Sequence, residues 1–156
     1  MLKISKLLLL TLSIFMLNGC GSEENADAGE IEFTVLHENQ YNEYANTTAK
    51  TVMVITNQND YERELLTRSG EAIEQVDFEV SVILLIDMGP RNTGGYNVSL
   101  IAIKNLDSYL GVTIEYSIPG EGCSTTQAIT NPYQFISVAN TRDILVNETL
   151  HVKNCE

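Results

Sequence analysis

The chain has 156 residues, 21 of them acidic and nine basic, and a formal net charge of −12. An acidic surface of this kind repels nucleic acid and anionic lipid head groups, which excludes both as expected partners. The two histidines, His37 and His151, and the three cysteines show no metal-ligand spacing, so neither a metal nor another cofactor is expected.

Lys3 and Lys6 form a positive leader ahead of an apolar stretch over residues 7–17 that only Thr11 and Ser13 interrupt. It is too short to span a bilayer, which needs about 20 apolar residues, and reads as a signal peptide over residues 1–19. Leu17-Asn18-Gly19-Cys20 has the order of a bacterial lipobox, in which a small residue precedes a cysteine that takes a diacylglycerol on its thiol and an acyl chain on its freed amine. Cys20 is therefore the expected lipidation site, and several acyl chains anchor firmly where one would exchange. Gly21 and Ser22 follow, with no aspartate to retain the protein at an inner membrane, so the expected location is the cell envelope, at the outer membrane. Losing two positive charges with the leader takes the net charge from −12 to −14.

Residues 20–30 hold the lipidated cysteine and an acidic stretch without a large apolar residue, expected to be a flexible tether. The globular domain is expected over residues 31–156, a length that fits one ordinary core. Residues 31–37 alternate apolar and polar, the period of a strand with one wet face, and residues 51–56 are β-branched and apolar on both faces. Between residues 59 and 70 the period changes to that of a helix. Asn59 or Asp60 is the expected cap, Tyr61 and Leu65 share a face, and Gly70 closes the end.

Residues 78–87 place Val80, Val82, Leu84 and Ile86 on one side and Ile83 and Leu85 on the other, which predicts a central strand. Further strands are predicted over residues 96–104, 110–116, 131–138 and 149–154, with Pro132 suited to a strand's first residue. The sum is a β-rich α+β fold: an antiparallel sheet or sandwich of about seven strands with one packed helix. Short connections make most neighbouring strands antiparallel.

Residues 88–96, Met-Gly-Pro-Arg-Asn-Thr-Gly-Gly-Tyr, join two of the most apolar stretches. A phosphate-binding glycine loop leaves a strand and enters a helix; this one enters a strand. Gly94 and Gly95 are expected to serve a hairpin, with Pro90 fixing the turn before them. A turn needs no arginine, so Arg91 is either a solvated charge or a contact that projects from the hairpin tip towards a partner.

With Cys20 lipidated, Cys123 and Cys155 form an even pair in an oxidising compartment, where a disulfide is the default and two free thiols the alternative. No Gly-x-Ser-x-Gly elbow exists, and neither histidine has a recognisable serine or cysteine partner. Catalysis is not expected.

Asp77-Phe78, the apolar strand after it, Gly89 with Arg91, Thr93, Gly94, Gly95 and Tyr96, and the later Thr126 to Tyr133 stretch together resemble the C-terminal domain of the protease complex subunit PrcB family, over about residues 52–138. The resemblance implies a secreted or lipid-anchored, non-catalytic domain that associates with a surface protease complex and stabilises or modulates it. It brings no catalytic residues and no small-molecule substrate. The loop of Arg91, Thr93, Gly94, Gly95 and Tyr96 is the candidate partner-binding site, with Arg91 as the contact and Gly94 and Gly95 serving the backbone. A structural envelope lipoprotein without a protease partner is the alternative.

Overall fold

The computed structural model of the chain describes residue 31, residues 33–44 and residues 49–155. The expected signal peptide, Cys20 lipidation site and tether lie outside these residues. Seven strands and one helix follow in the order β1 (Phe33–Asn39), β2 (Thr51–Ile55), α1 (Gln58–Leu66), β3 (Val82–Asp87), β4 (Asn97–Asn105), β5 (Leu110–Pro119), β6 (Tyr133–Val138) and β7 (Ile144–Lys153). They build a β-rich α+β fold of two sheets, β1-β6-β3-β2 and β4-β5-β7.

β3 explains the layering. All six of its residues are buried, because it lies between β6 and β2 within its sheet and is covered on both faces. Val82, Leu84 and Ile86 face the second sheet and pack with Val98, Ile103, Val112 and Ile114. Ile83 and Leu85 face the other way, with Tyr61 and Leu65 of α1 and with Phe135. A strand buried on both faces reads as a continuous apolar run. It starts at Val82 rather than at residue 78, because the chain turns first: Ser81 N donates to Asp77 O (3.0 Å), and the Asp77 side chain accepts Glu79 N (3.0 Å).

Asn57, in extended conformation (φ −154°), caps α1, and its Oδ1 accepts Asp60 N at 2.9 Å. The cap thus falls two residues before the expected Asn59. The helix ends at Leu66 with Thr67 as its C-cap, short of Gly70.

Two expectations about connectivity change. The segment 88–96 is not a hairpin, because β3 already has a partner on each edge and leaves no place beside it for β4. The chain crosses instead to the other sheet, where β4 pairs with β5. Most neighbours are antiparallel, but β5 and β7 run parallel in unbroken register from Leu110↔Ile144 to Pro119↔Lys153. Between them the chain visits β6 in the first sheet, so it re-enters the second sheet in the same sense.

Candidate functional site

The site is built outward from the end of β3. Asp87 is fully buried; its Oδ2 accepts Arg68 Nε at 2.8 Å, and its Oδ1 accepts Gly89 N and Asn131 Nδ2, each at 2.8 Å. Arg68, 3% exposed, also donates through Nη1 to the Glu64 carboxylate (3.0 Å) and the Glu64 carbonyl (2.8 Å). One carboxylate thereby ties together the segment after α1, the start of the crossover and the segment before β6. Burying a charge is tolerable only with such full pairing.

From this knot the crossover runs along residues 126–132. Met88 N donates to Pro132 O, Arg91 and Thr130 exchange both backbone bonds (2.7 and 2.9 Å), and Gly94 N donates to Thr126 O. The Thr130 hydroxyl closes the ladder on Thr93 O at 2.9 Å. Gly95 has φ +87°, and a Cβ there would meet Thr125 Cγ2 at 3.2 Å and Pro119 Cβ at 3.3 Å. Positive φ falls at Gly89 and Gly95 but not at Gly94, whose need is space: a Cβ would come within 2.4 Å of Thr126 Oγ1.

Arg91 does not project from a tip. Its backbone is fixed against Thr130, and its side chain folds back to donate from Nη2 to Met88 O at 2.7 Å, with the guanidinium 5.7 Å from the centre of the Tyr96 ring. In this position Arg91 forms one wall of a cavity of about 240 Å³ between the sheets. Met88 and Tyr96 line it from the crossover, Tyr116 and Ile118 from β5, Leu150 from β7, and Lys50 from the residue before β2. Leu150 is 66% exposed although it lies on the same side of β7 as the packed Ile144 and Val146. Met88, Ile118 and Leu150 leave the cavity an apolar floor.

Charge around the cavity is uneven. Lys50 Nζ pairs with Glu148 Oε2 at 2.5 Å and lies 4.2 Å from the centre of the Tyr116 ring, and the Tyr116 hydroxyl donates to Glu148 Oε1 at 3.0 Å. The lysine and the phenol hold the Glu148 carboxyl below the usual glutamate range. Burial, followed by the Glu148 bond, pushes the Tyr116 phenol well up. Lys50 is thus answered by an acid. Among the described residues Arg91 has none, and its buried Nε lacks any acceptor there.

Cys123 and Cys155 stand at disulfide distance with their Cα atoms 5.1 Å apart. Gly120 N donates to Lys153 O beside them, so the end of β7 is held against the loop that leaves β5.

Two further polar clusters were not foreseen from the sequence. His37 is buried, with Nε2 2.7 Å from the Tyr61 hydroxyl and Nδ1 against the Glu71 carboxylate. This base and its orienting acid face a phenol that is itself fully buried and pushed up to about 12 by that burial, so the cluster offers no accessible nucleophile. A cavity of about 390 Å³ lies between the end of β1 and the start of β4. Its polar groups satisfy one another: Gln40 Nε2 donates to Asn97 Oδ1, and Gln134 Nε2 to Glu38 Oε2, both at 2.8 Å. Among the described residues no group of three or more histidines, cysteines or acids is placed to hold a metal ion.

Of the residues singled out from the sequence, Arg91 and Tyr96 therefore line the cavity, while Thr93, Gly94 and Gly95 shape the crossover behind it. Lys50, Tyr116 and Leu150 were not anticipated, nor was the Asp87 knot. The one local signal for the knot was an aspartate ending a strand otherwise made of apolar residues.

Comparison with known families matches residues 82–139 to a family model described as PrcB C-terminal. The matched segment runs from the start of β3 to just past β6 and holds Met88, Arg91, Tyr96, Tyr116 and Ile118 of the cavity, but not Lys50 or Leu150. No curated protein and no solved structure matches the chain.

Proposed function

We propose that the chain, whose residues 82–139 match a family model described as PrcB C-terminal, is a non-catalytic envelope lipoprotein that binds a secreted or surface protease complex and stabilises or modulates it. The observation that carries this reading is the cavity of the family segment: an arginine without an acid partner above an apolar floor, a surface suited to contact rather than chemistry. Exposed Leu150 and Val152 on one face of β7 extend the uncovered apolar surface. The two polar clusters that could suggest chemistry are internally satisfied.

Affinity purification of the tagged protein from its native membranes, with mass spectrometry of what accompanies it, tests the reading. A protease subunit enriched over an untagged control is the expected result. Recovery of the lipoprotein alone would favour a structural envelope protein instead. The anchor has its own test: Cys20→Ser releases the protein from the membrane fraction if the lipid holds it there, and continued sedimentation with membranes contradicts the assignment.

A further inference from the structure

We infer that the Arg91 cavity receives the C-terminal residue of a partner polypeptide, an apolar side chain carrying a free carboxylate; this rests on reading the chain as a binding subunit. The first ground is the state of the arginine. Arg63 and Arg68 have carboxylate partners, Lys50 has Glu148, and Arg142 is satisfied by Asn105 Oδ1 and the carbonyls of Leu106 and Tyr109. The Arg91 side chain donates only to Met88 O; Nη1 meets no acceptor among the described residues, and Nε is buried without one. A guanidinium left with its donors unmet is poised for a planar anion such as a carboxylate.

The second ground is the floor. Met88, Ile118 and the exposed Leu150 give the cavity an apolar base directly beside that cation. Its volume of about 240 Å³ is below the roughly 300 to 1,000 Å³ of sites for drug-sized ligands and suits one large side chain. A cation beside an apolar slot of single-residue size matches a chain terminus better than an internal acidic residue, whose flanking peptide would need room on both sides. The third ground is electrostatic. On a chain of net charge −12, an anionic group finds local attraction only where cations collect, and Lys50 lines the same cavity as a second one, partly offset by Glu148.

The test is titration of the purified full-length protein, in detergent, with N-acetyl-Ala-Ala-Leu as the free acid, with the same peptide as its C-terminal amide, and with octanoate, followed by calorimetry. The acid should bind and the amide should bind about tenfold more weakly or less, the loss expected for a charge-assisted hydrogen bond. Arg91→Ala and Leu150→Glu should each weaken the acid by a similar factor while remaining folded, Leu150→Glu melting like the wild type. Leu150→Glu alters an exposed position and keeps the test decisive if Arg91→Ala does not fold. No binding of the acid, equal binding of acid and amide, or tighter binding of octanoate would overturn the inference. Undiminished capture of the protease complex by both variants would also overturn it and leave the functional reading standing. Peptide binding without any captured protease would uphold the cavity and remove that reading.

Discussion

Arg68 and Arg91 are both drawn in from the surface of an acidic protein, yet they serve opposite ends. Arg68 sits behind α1 with the carboxylates of Asp87 and Glu64 against it, and every element it touches is tied to another. Arg91 makes one side-chain bond, to a carbonyl, and otherwise rests beside the Tyr96 ring at the rim of a cavity. Exposure alone does not separate the two roles, although Arg68 is buried and Arg91 only half-buried. Unmet hydrogen-bonding capacity does, because a folded chain leaves a buried donor unpaired only where something outside the chain, or nothing, answers it.

The strongest way to break the comparison is to remove the acid that makes Arg68 structural. Asp87→Ala strands a buried guanidinium and frees Gly89 N and Asn131, and should lower stability by about 3–5 kcal/mol, the usual cost of breaking a buried ion pair. Urea unfolding measures it, and a loss below 1 kcal/mol would mean that Asp87 is not the anchor of the crossover. Next comes the Cys123–Cys155 link, which closes a sequence separation of 32. Its removal by paired serine substitution should cost about 3–4 kcal/mol in the chain-entropy model. Because it secures the end of β7, Leu150 exchange and peptide binding should be affected along with stability.

Gly95→Ala probes the crossover without touching either arginine. Positive φ and the close approach to Thr125 and Pro119 predict a loss of roughly 1–2 kcal/mol. A neutral result would show that the crossover relaxes around the site. The smallest effect belongs to Glu148. Its carboxyl is held below the usual glutamate range, so the pair with Lys50 stabilises the fold above the ordinary glutamate value, and that contribution is lost as pH falls through the lowered folded value. Both side chains are well exposed, so Glu148→Gln should cost no more than about 1 kcal/mol at neutral pH. The gap between the melting curves of variant and wild type should close on acidification; a gap that widens would reverse the sign of the linkage.

What could be seen in advance follows from range. β3 was legible because burial on both faces writes itself as an unbroken apolar run, and the cysteine pair because counting needs no geometry. Arg91 stood out because a turn has no use for it. Its direction was misjudged, since a hairpin tip was assumed where β3 had no free edge. The cap of α1 was displaced because Asn57, Asn59 and Asp60 all qualify by type, and only the extended backbone at Asn57 selects it. Lys50, Tyr116 and Leu150 carried no local sign. They come from three separate strand regions and meet only once the two sheets have stacked. Arg68 and Asp87 are likewise joined across 19 residues by packing alone.

The central claim is that Arg91 is kept for a partner and Arg68 for the fold. Preparing Arg68→Ala and Arg91→Ala in parallel, and measuring for each the urea midpoint and the recovery of protease subunits from native membranes, tests it most directly. The account predicts a loss of about 3–5 kcal/mol for Arg68→Ala, and for Arg91→Ala a loss of only about 1 kcal/mol, the worth of its bond to Met88 O, together with a clear fall in partner recovery. Arg91→Ala unfolding as readily as Arg68→Ala, or capturing the partner as fully as the wild type, would contradict it.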